Sequence, residues 1–315
     1  MLLGKPFRPM EPVRYAEPFD SPEWGFQVKW DGVRILVHKL GQKVVLYNKK
    51  LHERTNQYPD LIEECLAVLG CQEAVLDGEV VVLAEGRPHF ARVLQRDWAT
   101  NPRTIRSLVQ QLPIAYMVFD LLHLDGVDLT NLSFCQRQEY LQQLVAPGSI
   151  IYPVETVLGT GRSIFTAVVN RNLEGIVAKR LTSTYLLGQK SDLWRKIKNV
   201  KQQSFIVGGY LIKEGRPNSL LLGAYVENDL IYVGRVSSGL SAAHLNLIRD
   251  HFPPDPSVPS PFRDIPRLPP GETEVQWLPP CLVAVVEFLE WTDDLKVRHP
   301  KIIGFSTDSP ESCTL

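Results

Sequence analysis

Short apolar runs separated by turn signals make up most of the first two hundred residues. The segments FQVKW, VRILVHK and KVVLYN are typical of strands, and the LGQ between the last two is typical of a tight turn. Residues 58–69 place apolar side chains at helical spacing after a Pro-Asp pair, which predicts a helix. Further strands are predicted for AVLDGEVVVL, IAYMVFDLLHL and EGIVAKR. Because several strands are joined by tight turns, the pattern predicts an α+β fold with antiparallel sheets.

The pattern changes after Val200. Four strand signals follow, separated by Gly, Pro and Asn-Asp turns: SFIVGGYL, SLLLGAYVE, LIYVGRV and LVAVVEFLEW. A small all-β barrel suits this spacing. Residues 253–280 contain ten prolines and are expected to form an extended excursion rather than a regular element. We therefore predict two domains, residues 1–200 and residues 201–315.

The composition is that of an ordinary globular chain, with 44% hydrophobic and 22% charged residues among 315. No apolar run approaches the roughly 18 residues that a membrane span needs, and the N-terminus lacks the apolar segment of a secretion signal. The five cysteines form no CxxC pair, and the seven histidines show no zinc-site spacing. These features predict a cytoplasmic protein with reduced cysteines, no membrane contact and no structural metal.

The net charge of −1 hides an asymmetry along the chain. Residues 1–200 hold 24 basic and 21 acidic residues, whereas residues 201–315 hold 10 and 14. Residues 179–201 alone contain seven basic residues and one acidic residue. A charge run of this kind is usually a solvated face, but it also suits contact with a polyanion.

The segment FQVKWDGVR ends an apolar strand with a lysine. Strand alternation points Phe26 and Val28 to one face and Gln27 and Lys29 to the other. The same reasoning puts Trp194, Lys196 and Lys198 on a common face of DLWRKIKN. In YMVFDLL, strand alternation places Met117, Phe119 and Leu121 on one face of the strand and Val118 and Asp120 on the other.

A lysine that faces inward among other cations is a candidate covalent nucleophile. Desolvation and neighbouring positive charge would lower the pKa of Lys29 and raise the fraction of neutral amine. Phosphorus is a plausible target, because the cations could offset phosphate charge. The chain has no GxxxxGK[ST] loop, so a nucleotide would be held in another way. Taken alone, a lysine at a strand end more often extends to solvent.

Five motifs resemble those of one enzyme family. KWDGVR is similar to the KxDGxR nucleophile motif of the lysine-adenylating nucleotidyltransferases, which comprise DNA ligases, RNA ligases and mRNA capping enzymes. The later segments VLDGEVVVL, FDLLHLDG, EGIVAKR and DLWRKIK resemble the remaining motifs in the family's order. The chain is identified as a member of this family.

The resemblance implies a role for each motif residue. Lys29 would be the catalytic residue that carries AMP, with ATP and Mg²⁺ or Mn²⁺ required. Glu79 would contact the ribose and, together with Glu174, the metal ion. Phe119 would stack on adenine, although it also fits a core aromatic on an inner strand. The remaining nucleotide-binding residues would be Gln27 on adenine, Arg34 and Lys49 on ribose and phosphates, and Lys190, Lys196 and Lys198 on phosphates.

The second domain indicates which branch of the family the chain resembles. VGRVSSGL, WLPPCLVAVVEFLEWT and VRHP resemble the oligonucleotide-binding (OB) barrel of ATP-dependent DNA ligases, and RPHFARVLQRD fits the same group. The strongest likeness is to the ligase module of bacterial non-homologous end-joining enzymes. It extends over nearly the whole chain and suggests a minimal, stand-alone form.

This likeness implies that the protein seals 5′-phosphate/3′-hydroxyl breaks in duplex DNA. The expected partner is nicked or broken DNA, held by backbone contacts from residues 179–201 and the barrel, with the end-binding protein Ku as a further implied partner. We expect a monomer that is cytoplasmic and associated with the nucleoid when bound to DNA. Two alternatives stay open: an RNA ligase or capping-type enzyme, and a non-catalytic nick- or end-binding protein.

Several positions depart from the family pattern. Gln27 stands where these ligases usually have glutamate; its carbonyl can accept from the adenine amino group, but its amide adds a donor. Lys49 and Lys190 replace usual arginines and lose a planar fork. In the C-terminal motif, Ser306 and Ser309 flank Asp308 where cations usually orient pyrophosphate. We therefore expect slow self-adenylation, with Arg298 or Lys301 as substitutes.

Overall fold

The computed structural model describes residues 3–145, 150–266 and 274–315. Its Cα positions group into two compact units, Met1–Asn199 and Val200–Leu315. Among these described residues, no helix combines the length and apolar character that crossing a bilayer requires.

The first unit contains short helices and two sheets. Its strands are β1 (Glu11–Arg14), β2 (Ser21–Val28), β3 (Val33–Leu40), β4 (Lys43–Asn48), β5 (Glu73–Ala84), β6 (Arg87–Pro88), β7 (Ile114–Leu124), β8 (Val127–Asp128), β9 (Ile151–Pro153), β10 (Val157–Gly159), β11 (Gly175–Arg180) and β12 (Lys190–Lys198). Its helices are α1 (Pro59–Val68), α2 (Phe90–Trp98), α3 (Pro102–Gln111), α4 (Phe134–Leu144) and α5 (Gly161–Asn170), with a 3-10 turn at Thr55–Gln57.

The two sheets are mostly antiparallel. One has the strand order β1-β12-β11-β2-β10, and the other has the order β4-β3-β5-β7-β8, with β6 paired to β5 and β9 to β7. The pairs β1–β12 and β7–β9 are parallel. Tight turns such as Gly41 between β3 and β4 keep sequential strands adjacent, which requires antiparallel pairing. The predicted α+β class with antiparallel sheets is confirmed.

Local sequence signals explain where several helices begin. Pro59 occupies the first turn of α1, where its missing N–H is not needed. Asn101 caps α3 by accepting hydrogen bonds from the backbone N–H groups of Arg103 and Thr104. Leu61 of α1 packs in the core that the larger sheet forms. Helix α1 therefore packs against the larger sheet, whereas β2, β11 and β12 of the other sheet carry or adjoin Lys29, Glu174 and Lys198.

A β-bulge interrupts β7 at Phe119. Gly78 pairs with Val118 and Asp77 pairs with Asp120, so Phe119 is an extra residue without a partner on β5. Because a bulge resets strand alternation, Leu121 packs in the same core as Val118. The prediction that Leu121 shares a face with Met117 and Phe119 is therefore wrong.

The second unit is built mainly from one sheet. Its elements are β13 (Lys201–Lys213), β14 (Arg216–Val226), β15 (Asp229–Val236), α6 (Ala242–His251), β16 (Val275–Trp277), β17 (Val283–Phe288), β18 (Lys301–Ser306) and a 3-10 turn at Pro310–Ser312. The strand order is β15-β14-β13-β17-β18, with β16 paired to β13. All these pairs are antiparallel. The four predicted strands correspond to β13, β14, β15 and β17.

Some elements differ from the sequence prediction. β16 is a regular strand within the proline-rich stretch 253–280, because its three residues carry no proline and pair with β13. Residues 267–273 of that stretch lie outside the described residues. Helix α4 begins with a Ser133/Gln136 capping box, and α6 with a Ser241/His244 box. The Ser-x-x-Gln spacing is a helix-start signal that could have predicted α4.

Candidate active site

The site begins at the end of β2, where the Asp-Gly turn follows Lys29. The backbone N–H of Lys29 donates to the carbonyl of Gly175 at 2.9 Å, which ties the end of β2 to the start of β11. Gly32 lies so close to β5 that an added Cβ would be 2.1 Å from the carbonyl oxygen of Val80. Only glycine allows this approach, so the turn is fixed against β5. Lys29 is thereby held at the start of the turn.

Lys29 and Lys198 both contact one carboxylate. Nζ of Lys29 lies 2.5 Å from Oε2 of Glu174, and Nζ of Lys198 lies 2.9 Å from Oε1. The convergence follows from strand register, because Gly175, next to Glu174, pairs with Lys198. The Glu174 side chain is 6% exposed. Burial opposes its charge, but the two ammonium groups outweigh burial and lower the pKa of Glu174.

The pKa of Lys29 departs from the sequence prediction. Burial lowers it, but the carboxylates of Glu174, Glu79 and Asp31 together favour the ammonium more strongly, and the pKa of Lys29 is raised. The prediction of a lowered pKa is wrong for this arrangement. The sequence pattern showed the neighbouring cations but not that carboxylates lie closer to Nζ.

Lys196 has the opposite environment. Its pKa is lowered by burial and by the positive charges of Lys198, Lys29 and Lys190. Three of the predicted phosphate-binding or nucleophilic lysines therefore disfavour positive charge on the fourth, Lys196. A cluster in which cations disfavour one another's charge binds an anion readily, because the anion relieves that repulsion.

Glu79 supplies a second carboxyl group beside Lys29. It pairs across the sheet with Arg34 of β3, and burial raises its pKa to about 8 despite Lys29 and Arg34. Glu79 and Glu174 act on each other electrostatically. Among the described residues, no group of three or more His, Cys, Asp or Glu side chains could hold a metal ion. Two carboxylates suit Mg²⁺, which usually takes one or two carboxylates together with substrate phosphates.

Arg34 is held by residues that the sequence analysis did not single out. Its guanidinium donates two hydrogen bonds to the buried Asp77, at 2.8 and 2.6 Å, and one to the hydroxyl of Tyr185 at 3.2 Å. The Tyr185 hydroxyl in turn donates to Asp77 at 2.6 Å. Burial and Asp77 act on the guanidinium in opposite senses, and the pKa of Arg34 is raised. Arg34 is therefore permanently charged.

Phe119 lies beside two cations. Cζ of Arg34 is 5.2 Å and Nζ of Lys179 is 4.5 Å from the centroid of its ring, and Trp194 contacts the ring edge. Lys179 is buried and was not among the predicted residues. Its ammonium donates to the carbonyl of Phe119 at 3.0 Å. The β-bulge makes this possible, because it removes that residue from the sheet ladder.

Gln27 presents one unused acceptor. Its amide nitrogen lies within hydrogen-bond distance of three acceptors, Oε1 of Gln138 at 3.1 Å, the carbonyl of Val154 at 3.2 Å and the hydroxyl of Thr156 at 3.0 Å, which share its two hydrogens. Its carbonyl oxygen is buried without a hydrogen-bond partner in the described chain. Such an atom is costly unless a ligand donates to it. The orphaned oxygen therefore fits a ligand donor such as the amino group of adenine.

Lys49 and the C-terminal motif belong to other elements of the chain. Lys49 is exposed directly after β4, and within the described ranges its side chain makes no hydrogen bond or ion pair with another predicted site residue. In the second unit, the backbone N–H of Asp308 donates to Ser306 at 3.1 Å, and Ser309 donates to Glu311. Arg298 pairs with Glu290 at 2.6 Å.

Two family models match the chain. The model described as "ATP dependent DNA ligase domain" matches residues 7–198, and "ATP dependent DNA ligase C terminal region" matches residues 213–309. These matches identify the first unit as a nucleotidyltransferase adenylation domain and the second as an OB-fold domain, as the sequence analysis predicted.

Curated relatives are identical to this chain at about a third of the aligned positions. The "Multifunctional non-homologous end joining DNA repair protein LigD" of Mycobacterium tuberculosis is 32% identical over 299 residues, which cover 93% of this chain and 37% of that protein. The corresponding protein of Pseudomonas aeruginosa is 32% identical over 299 residues, covering 91% of this chain and 34% of its own length. The chain thus spans about a third of the length of these relatives.

Solved structures agree with the sequence matches. The crystal structure of the ligase domain of M. tuberculosis LigD superposes with a TM-score of 0.55 at 29% identity and covers 98% of both chains. A mycobacterial DNA ligase D complexed with ATP and MES gives the same TM-score and coverage at 30% identity. With one family model covering residues 7–198, well over half of the chain, this protein belongs to the ATP-dependent DNA ligases.

Proposed function

We propose that the protein joins a 5′-phosphate to a 3′-hydroxyl in duplex DNA, using ATP, through a covalent adenylate on Lys29. The observation that carries this proposal is the convergence of Lys29 and Lys198 on Glu174 with Lys196 beside them. It combines a nucleophile with cations suited to phosphate in a chain of the ATP-dependent DNA ligase family.

In the first step the neutral amine of Lys29 attacks the α-phosphorus of ATP. A phosphorus–nitrogen bond forms, the bond to the bridging oxygen breaks so that pyrophosphate leaves with the electron pair, and the nitrogen loses one proton to solvent. The ion pair with Glu174 has to break first, or the proton has to pass to that carboxylate, which lies 2.5 Å away. Lys196 and Lys198 would offset charge that develops on the phosphate oxygens.

Two further steps return the enzyme to its starting state. A 5′-phosphate oxygen of the DNA attacks the adenylate phosphorus, the phosphorus–nitrogen bond breaks, and Lys29 regains a proton. The 3′-hydroxyl then attacks the activated 5′-phosphorus and displaces AMP. Mg²⁺ or Mn²⁺ held by Glu79 and Glu174 would supply charge stabilisation at the phosphates.

The preference for ATP has independent support in the site. The orphaned carbonyl oxygen of Gln27 accepts a donor, and the ring of Phe119 is held by Lys179 and Arg34 as a stacking surface. A mycobacterial relative at 30% identity has been solved with ATP bound.

The biological substrate we propose is a broken end in non-homologous end joining. The names of the M. tuberculosis and P. aeruginosa relatives support this proposal. DNA binding would rest on ionic contacts with backbone phosphates, and its affinity would therefore fall steeply as the salt concentration rises. The net charge of the chain is only −1, but residues 179–201 hold seven basic residues and one acidic residue and would supply such contacts. Recruitment by Ku is the accompanying proposal for the partner.

The decisive experiment is to incubate the protein with α-labelled ATP and Mg²⁺, map the labelled residue, and chase with a nicked duplex. We expect the label on Lys29, its transfer to the DNA 5′ end, and release as AMP on sealing. Lys29→Ala should abolish labelling. Lys50→Ala, an exposed lysine two positions from the end of β4, is the matched control. Label on another residue, or sealing by Lys29→Ala at the parental rate, contradicts the proposal.

A second arm tests the substrate. A nick in duplex DNA is compared with the same nick in duplex RNA, and with a cohesive double-strand break in the presence and absence of Ku. We expect sealing of DNA but not RNA, and stimulation of break joining by Ku. Equal activity on RNA would move the protein to the RNA ligase branch.

A further inference from the structure

The side chain of Gln27 is held in one orientation by its neighbours. An amide side chain offers an oxygen on one side and an NH₂ group on the other, and the hydrogen-bond network decides which faces a ligand. The carbonyl of Val154, 3.2 Å from the amide nitrogen of Gln27, can only accept. Val154 therefore favours the orientation in which the nitrogen faces it and the oxygen faces away.

Gln138, on α4, is fixed by the same reasoning. Its amide nitrogen donates at 3.0 Å to the carbonyl of Phe119, which also only accepts and already receives Lys179. Its oxygen is consequently turned towards Gln27 and accepts from that amide nitrogen at 3.1 Å. Gln138 is 7% exposed and Lys179 is 1% exposed, so water has little access with which to replace these contacts.

Gln138 also constrains Thr156. The hydroxyl of Thr156 donates to Oε1 of Gln138 at 3.4 Å and accepts from the nitrogen of Gln27 at 3.0 Å. Because its single hydrogen is used on Gln138, Thr156 can act only as an acceptor towards Gln27. Gln138 thus supports the observed orientation of Gln27 twice, directly and through Thr156.

We propose that Gln138 is a positioning residue that fixes the amide of Gln27 so that an acceptor, and never a donor, faces the purine. The inference rests on the proposed function and deepens it, since it concerns which nucleoside triphosphate the site takes. A 6-amino purine donates to the Gln27 oxygen. A 6-oxo purine would place oxygen against oxygen. A glutamine can therefore replace the family's usual glutamate without admitting the 6-oxo base, because its donor is already occupied.

The test compares equilibrium binding of ATP and of inosine triphosphate, which carries oxygen at position 6 and lacks the 2-amino group of guanine. Binding is measured by calorimetry without divalent cations, so that the result does not depend on covalent chemistry. For the unaltered protein, we expect ATP to bind at least about tenfold more tightly, as a mismatched buried acceptor leaves hydrogen bonds unmade.

Three variants separate positioning from mere packing. Gln138→Leu removes the acceptor and frees the Thr156 hydroxyl to donate to a flipped Gln27, so that only the Val154 carbonyl still opposes the flip; the ATP-over-inosine ratio should fall by about tenfold, with a gain for inosine triphosphate. Gln138→Glu keeps an oxygen towards Gln27 and, in the protonated form that burial favours, still donates to the Phe119 carbonyl; it should hold the ratio within about threefold. Gln142→Leu, on the exposed face of the same helix, should leave both affinities unchanged.

The outcomes distinguish this inference from the proposed function. If Gln138→Leu weakens both nucleotides equally, or if Gln138→Glu loses discrimination as fully as Gln138→Leu, the inference is overturned. Binding of neither nucleotide by the unaltered protein also overturns it. The proposed function fails separately, if the protein discriminates the two nucleotides as expected but forms no adenylate on Lys29 with Mg²⁺.

Discussion

Arg34 and Asp77 form a buried two-point ion pair whose guanidinium lies 5.2 Å from the ring centroid of Phe119. Asp77 is fully buried, and it is also the acceptor for Tyr185. The pair thus connects Arg34 of the first motif, which is predicted to bind the nucleotide, to the ring that is expected to stack on adenine.

Removing one partner of this ion pair should destabilise the protein by more than the pair contributes to stability, because the other charge is left buried without a partner. We expect Asp77→Asn to lower the free energy of unfolding of the first unit by about 3–5 kcal/mol. Glu23→Gln, which breaks the exposed pair with Arg180, should change it by no more than about 1 kcal/mol. Urea denaturation measures both. Similar values for the two variants would show that the buried pair is not special.

The backbone approach at Gly32 gives a second prediction. Gly32→Ala would place Cβ 2.1 Å from the carbonyl oxygen of Val80, so the turn that follows Lys29 has to move. We expect lysyl-adenylate formation to fall by at least about 100-fold, because a displacement of about 1 Å at a reacting group has that effect. Intact-mass measurement of the adenylate gives the rate.

Gly70→Ala is the matched control for this change. Gly70 has no atom within 4 Å of an added Cβ. Its rate of adenylation should equal that of the unaltered protein. Full activity in Gly32→Ala would mean that the turn tolerates displacement and does not position Lys29.

The buried Lys179 predicts how stability depends on pH. Burial lowers its pKa to about 7, although the lysine of the unfolded chain has its ordinary value of 10.5. Charged neighbours that act on it are Asp120, Asp77, Arg137 and Arg34. Between these two pKa values the unfolded chain binds more protons, so this group's contribution to stability rises with pH and is least favourable below pH 7.

Replacing Lys179 should therefore remove a pH-dependent penalty. We subtract the unfolding free energy of the unaltered protein from that of Lys179→Met. This difference should favour the variant most at pH 6 and should decrease by a few kcal/mol towards pH 10. Lys43→Met, at an exposed position on β4, should show a flat difference. A flat difference for Lys179→Met would show that the aromatic rings and the Phe119 carbonyl keep the ammonium charged.

The C-terminal motif leads to a kinetic prediction. With Ser306 and Ser309 around Asp308, no cation stands in the motif itself to orient pyrophosphate. We expect adenylation from ATP to be slower than sealing of a nick that is already adenylated. Alanine at Arg298 or Lys301 should slow the first reaction further and spare the second. Single-turnover rates on the two substrates decide this, and fast adenylation indifferent to both changes would contradict it.

The sequence predicted the parts of the site that follow from local motifs. Strand alternation and the KxDGxR likeness singled out Lys29 and Gln27, and the structure places the carboxylate of Glu174 in contact with both Lys29 and Lys198. Strand register explains this success, because β2, β11 and β12 are neighbours and each carries one motif.

The supporting residues could not be predicted in the same way. Gln138, Thr156 and Lys179 come from a helix, a loop and a strand that converge only in the folded chain. No local spacing indicates that their side chains meet. The carboxylates around Lys29 were visible in the sequence as motif residues, but their distance from Nζ, which determines the direction of its pKa shift, was not.

The extra residue at Phe119 makes chain length, and not only residue type, a determinant of the proposed adenine site. Deleting Phe119 would close the register shift at this point and remove the carbonyl that accepts from Lys179 and Gln138. Asp120 and the residues after it would keep their partners on β5 and therefore their faces of the sheet. A change of one residue in the length of β7 here would thus alter the proposed site and leave the core in register.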